Sequence, residues 1–276
     1  MSAALDLADL AAEQWGLVTT AQARSVGVSA QAVARLTRQG ALERLTHGVY
    51  RVSGAPPSPL DDLRAAWLTL DPARKASEHL RERTPAVVSH RSAAEIHQLG
   101  DLEADRLEFT TGHRKQTRRP DVRLHRGTVD PAEWTVVDGL PVTSVIRTVV
   151  DLATQHIDGG HLASVVRDAL TRRQVDDHQL ITALRRFALR YGAPIGNGQA
   201  LLQRLLQEAG ISESIGRAVE LTGSRARGSA TLEALHTSEE LERIREQLAS
   251  IQRAIAQSAQ RSDETRLPAK GSEERE

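Results

Sequence analysis

Three prolines within Gly54-Ala-Pro-Pro-Ser-Pro59 bar any helix or strand from crossing this stretch. The chain must therefore fold as something before it and something after it. With 276 residues it is long enough for two packed units, or for one unit with appendages.

Before the prolines, Leu5, Leu7, Leu10, Ala11 and Trp15 give the apolar face of a first helix that ends at Gly16. Thr19 or Thr20 caps a short second helix through Arg24, and Gly27 supplies a tight turn. Ser29 then caps a third helix that runs to Gln39 and stops at Gly40. Ala41–Leu45 and Val49–Val52 read as two strands joined around His47-Gly48. Helix, helix, turn, helix, hairpin is the order of a winged helix-turn-helix.

On a wheel of about 100° per residue, Gln31, Arg35 and Arg38 share one side of the third helix, and Val33 and Leu36 share the other. One side packs and the other presents long donors. Arg can grip guanine O6 and N7, and Gln can grip adenine N6 and N7, each through two hydrogen bonds. Ala30 and Ala34 leave room for close approach to a groove. Arg44, His47 and Arg51 on the hairpin suit phosphate contacts, and Thr20 and Ser29, at the helix starts, complete the expected DNA-binding set. Arg and Gln alone would suit any solvated helix. The element order, the turn and the hairpin all agree with the face, and together they point to double-stranded DNA.

After the prolines, Leu60–Leu70 and Pro72–Arg83 read as helices, with Asp71-Pro72 forcing a boundary between them. Strands are expected at Ala86–Val88, Leu107–Thr110, Val122–His125, Trp134–Val137 and Leu140–Thr143. Helices follow at Ser144–Ala153, His161–Arg172, Asp177–Arg190 and Gly198–Ala209. The fold class is thus α+β: a winged helix-turn-helix, then a small sheet with helices gathered mainly after it. Residues 211–230 are rich in Gly and Ser. Beyond them Thr237 and Glu240 have capping-box spacing, and Leu241, Ile244, Leu248, Ile251 and Ile255 form a short apolar seam. The expected organisation is 1–54, a DNA-binding domain; 60–210, an α+β regulatory domain; 211–258, a linker with a short amphipathic helix; and 259–276, a disordered tail.

Composition narrows the function classes. Basic and acidic residues number 36 each, so a nucleic-acid footprint must come from local placement of charge. Aromatic residues are 3% of the chain, which argues against base-stacking platforms. The chain has no cysteine, which excludes disulfides, thiolate metal sites and cysteine nucleophiles. No apolar run approaches a membrane span, and Asp6 and Asp9 sit where a secretory leader would be basic. A cytoplasmic protein without membrane contact is expected.

The run Trp15-Gly-Leu-Val-Thr-Thr-Ala-Gln-Ala-Arg24, with Gly27-Val-Ser29, Gly40-Ala-Leu-Glu-Arg44 and Gly48-Val-Tyr-Arg51, resembles the N-terminal domain of AbiEi-type antitoxins of type IV toxin–antitoxin systems. Val137-Asp-Gly-Leu-Pro-Val-Thr-Ser144, Arg147-Thr148 and Val150-Asp-Leu-Ala153 resemble the element that such proteins carry after their small sheet. The likeness covers roughly Leu5–Gly210. It implies a transcriptional autorepressor whose winged helix binds inverted repeats upstream of its own operon, as a homodimer on DNA. It also implies a second domain with antitoxin function and a nucleotidyltransferase-like toxin as partner. Some proteins with this front half continue into a nuclease-like domain, whose signature is not found here.

Other constellations are weaker. His113, Arg114, Lys115, Arg118, Arg119, Arg123 and Arg126 form the densest basic stretch, which suits DNA flanks or an acidic partner as well as a solvated strand edge. Arg147 and Asp151 have the spacing of an ion pair along one helix. His90 and His97, seven apart, would share a helix face if a helix begins that early. The ten histidines show no metal-ligand spacing and no clustered partners, so no metal, cofactor or catalytic residue is expected. Glu108-Phe109-Thr110 lacks the lysine of a nuclease motif. Two rivals to the antitoxin reading remain: a stand-alone winged-helix regulator with a ligand-sensing second domain, and a nuclease-like enzyme targeted by the winged helix.

Overall fold

The computed structural model describes residues 3–117, 119–173 and 175–210. Helix α1 (Ala3–Ala12) buries Leu7, Leu10 and Ala11, while Leu5 of the expected apolar face points to solvent. Trp15 leaves the helix path at φ 62° and packs elsewhere. A strand absent from the sequence reading follows, β1 (Leu17–Thr19), too short to show any alternation. Then come α2 (Thr20–Ser25), α3 (Ala30–Arg38), β2 (Leu42–Thr46) and β3 (Val49–Val52). β3 is central and pairs antiparallel with β1 and β2. Leu7, Leu10, Val18, Ala23, Val28, Val33, Leu36 and Leu42 share one core beneath these elements. This is the winged helix-turn-helix.

The remainder opens with α4 (Asp61–Leu70), α5 (Ala76–Leu80) and β4 (Val87–Val88). Next are α6 (His90–His97), β5 (Leu107–Thr111), β6 (Val122–Arg126), β7 (Trp134–Val137) and β8 (Leu140–Thr143). The five strands make a mixed sheet ordered β6-β5-β4-β8-β7. Four helices close the described chain: α7 (Val145–Thr154), α8 (Gly159–Thr171), α9 (Asp177–Leu184) and α10 (Gly198–Glu208). Their apolar faces, with Leu99 and Leu102, form a helical core of Leu152, Leu162, Val166, Leu180, Leu184 and Leu201. The α+β class expected from sequence is the one observed.

Two helices depart from expectation. The helix expected over Pro72–Arg83 shrinks to α5, and the carbonyls of Pro72 and Arg74 accept from Thr19 Oγ1 and Gln22 Nε2. The helix expected to Arg190 ends at Leu184 and tightens into a 3₁₀ turn, Arg185–Phe187. Helix α6 does begin at His90, directly after β4 and Ser89.

The proline stretch does not work as a free tether. By contact, the described residues on both sides of it form one compact unit. Leu17 and Val49 of the winged helix share a core with Leu63, Trp67, Leu68 and Phe109. Trp15 Nε1 donates to Asp138 O at 3.0 Å, the Arg64 guanidinium lies 5.1 Å over its ring, and Trp67 meets it edge-on at 6.1 Å. Gly16, at φ 77°, passes so close to Ala55 that a Cβ there would lie 2.3 Å from the Ala55 methyl. The seam Leu241–Ile255, the Thr237–Glu240 capping box and the tail lie outside the described residues.

Candidate nucleic-acid interface

Helix α3 is built to stand free on one side. Ser29 caps it, accepting from Ala32 N at 3.2 Å. Val33 and Leu36 are buried against α2 and β2, whereas Gln31, Ala34, Arg35 and Arg38 are exposed, which is the division their wheel positions predict. Thr19, not Thr20, caps α2, in a reciprocal capping box with Gln22. Thr20 is half-buried, and its backbone N donates to Gly48 O at 2.8 Å, tying α2 to the wing.

On the hairpin, Arg44 and His47 are both exposed and meet each other, Nη2 to Nδ1, at 3.1 Å. Arg51 does not join them. Its guanidinium turns inward to Glu43 and to Asp61, the latter at 2.7 Å, with only 14% of the side chain exposed. These carboxylates hold its pKa above the usual arginine value, Glu43 contributing most, and Arg51 serves as a clasp between wing and α4. The phosphate contact expected of Arg51 would have to compete with these two carboxylates.

The second basic stretch is dispersed. Arg114 is exposed, Lys115 Nζ donates to Leu70 O at 3.1 Å, and Arg119 pairs with Asp121. Arg123 is exposed and reaches within 3.7 Å of Glu108. Arg118 lies outside the described residues.

The fold is of the winged-helix type, and α3 leaves a face of long donors free. Residues 6–53 match the family described as transcriptional regulator, AbiEi antitoxin. The N-terminal segment is thus similar to that of a toxin–antitoxin transcriptional regulator. A crystal structure of the RV2827C protein from Mycobacterium tuberculosis is similar over 82% of this chain and 81% of that one, at 19% identity and a TM-score of 0.45. No curated protein matches the chain. Among the described residues, no helix is long and apolar enough to cross a membrane.

The sheet gathers a group that sequence spacing concealed. Glu108 and Thr110 lie on one face of β5, Thr110 is in register with His125 of β6, and His90 opens α6 above them. His125 Nε2 is 3.3 Å from Glu108 Oε1, and the rings of His90 and His125 stack at 3.7 Å. Burial, and then the neighbouring His125, push the His90 imidazole down to about 3. Burial would raise Glu108, but His125 and the Arg91 amide hold its carboxyl below the usual value. The expectation that no histidine has clustered partners is corrected: pairing of distant strands supplies them. Beside this group Arg147 pairs with Asp151 at 2.8 Å, as their spacing predicts, and also with Glu133 from the turn before β7. Burial outweighs Arg147 in raising the Asp151 carboxyl.

Proposed function

We propose that this chain is a sequence-specific DNA-binding autorepressor and the antitoxin of a type IV pair, acting by occupancy without chemistry at the DNA. The observation that carries this is the exposed Gln31, Arg35 and Arg38 face of α3, flanked by Arg44 and His47, within the segment that matches the AbiEi regulator family. Residues 1–54 read DNA and residues 60–210 serve antitoxin function toward a nucleotidyltransferase-like toxin. A single recognition helix reads only a few base pairs, too few for a unique genomic site. Two copies on an inverted repeat, with half-sites about one helical turn apart or a multiple of it, supply the missing specificity.

The test is a footprint on DNA upstream of the chain's own gene, with stoichiometry by analytical ultracentrifugation. Protection of an inverted repeat by two protomers supports the reading. One protomer on one asymmetric half-site, or no preference over scrambled DNA, overturns it. Co-expression with a neighbouring nucleotidyltransferase-like gene tests the antitoxin half, where rescue of growth is the supporting result.

A further inference from the structure

We propose that His90, Glu108 and His125 form a binding site for one first-row divalent transition metal ion of the Zn²⁺ and Co²⁺ class, open toward a cavity beside α7. One ligand atom from each residue lies within 4.8 Å of the others. The donor set, two imidazoles and one carboxylate, suits a borderline ion and not Mg²⁺ or Ca²⁺, which take oxygen ligands. Three protein ligands leave the ion at least one further position.

Four features of the surroundings fit an ion. Glu108 is 2% exposed, so its charge is held away from bulk water where a cation would repay it. Its other oxygen accepts from Arg91 N at 2.9 Å, which fixes the carboxylate. One ring nitrogen of His90 is held by Ser89 Oγ at 2.9 Å, the outer contact that sets the tautomer of a metal-bound imidazole. The cavity, about 470 Å³, is lined by His90, His125, Glu133, Arg147, Asp151 and Gln155, among others. Asp151 is 6% exposed, and its Oδ2 has no hydrogen-bond partner among the described residues. A buried acceptor of that kind is placed to take a hydrogen from a water in the open position of the ion.

The two rings now lie nearly parallel, 21° apart, so their lone pairs run side by side instead of converging. An ion at about 2.0–2.1 Å from each nitrogen needs them roughly 3.3 Å apart with lone pairs turned inward. Binding must therefore splay the stack by rotating side chains. The half-buried His125 borders the open cavity, which leaves its ring room to turn.

The experiment uses the full chain, purified and freed of metal, titrated with Co²⁺ and then Zn²⁺ in the presence of excess Mg²⁺. The expected result is visible Co²⁺ absorption saturating at one equivalent per chain, displaced by Zn²⁺ and unaffected by Mg²⁺. His125→Ala and Glu108→Gln, each checked for fold by circular dichroism, should each lose at least about tenfold in affinity. Absence of saturable binding by the parent overturns the proposal. So does parent-like binding by both variants, which would assign the ion to other histidines.

Discussion

Arg35 and Leu36 are neighbours in sequence with opposite physical duties. Arg35 is exposed, so Arg35→Ala removes no packing, and stability should stay within about 0.5 kcal/mol of the parent. A lost bidentate base contact at Arg35 or Arg38 should instead weaken operator binding by roughly 1–3 kcal/mol. Leu36, 8% exposed, should give the reverse. Its truncation to Ala costs fold stability, about 2–5 kcal/mol for a buried leucine, and binding falls only as the domain loosens. Operator and scrambled-DNA affinities across a salt series, with melting curves, separate the two effects. If both arginine variants bind operator like the parent, α3 is not the reader.

Besides His90, two buried histidines set a pH dependence at the same scale. His79 sits under Asp71 O at 3.0 Å, with its ring on Trp67, and His97 meets Thr143 O at 2.7 Å. Burial is the main cause in lowering both imidazoles below the ordinary histidine value of 6.5; Lys115 adds to it at His79 and Arg173 at His97. The unfolded chain therefore takes up protons below about pH 6.5 that the folded chain refuses. Stability is fully present above that pH and falls as pH drops toward the depressed folded values. Melting temperature should decline from pH 7.5 to pH 5, and His97→Gln should flatten the decline. An unchanged slope in that variant would remove His97 from the account.

At the scale of elements, turns decide where α1 and β1 may lie. Gly16 combines a φ of 77° with the approach of Ala55, so Gly16→Ala meets both a left-handed penalty and a clash. The left-handed penalty is about 1–2 kcal/mol and the overpacking about 1–3 kcal/mol, so the joint cost should be about 2–5 kcal/mol. Chemical denaturation should show it, with the midpoint shifted and the slope kept. Gly27→Ala, where a Cβ meets nothing within 4 Å, should cost only the backbone term. The comparison fails if the two variants are equally destabilised.

At the scale of the molecule, the winged helix is docked and its docking surface is apolar. Deleting residues 1–54 would uncover Trp67, which is fully buried, together with Leu63 and its neighbours. A fragment beginning at residue 55 is expected to melt lower than the parent and to bind a hydrophobic dye. Parent-like melting without dye binding would show that the shared core is dispensable. Loss of protection against a toxin in such a fragment therefore needs a folding control before it is assigned to DNA binding.

The local pattern determined the winged helix. Caps at Ser29, turn glycines at 27 and 40, and the alternation of Val33 and Leu36 with Arg35 and Arg38 act within a few residues of each other, so sequence spacing carries them directly. The same holds for the Arg147–Asp151 pair, one turn apart on α7. Tertiary structure alone decided the rest. Arg51 reads as a free cation until α4 brings Asp61 against it. Pro72–Arg83 reads as one helix, whereas only α5 forms and the carbonyls of Pro72 and Arg74 accept from Thr19 and Gln22. His125 and Glu108, 17 residues apart with no helical or strand periodicity joining them, meet only because β5 and β6 pair in one register. Register is a property of two strands together, set by the burial of Phe109 and Val122 against the rest of the core, and neither strand encodes it by itself.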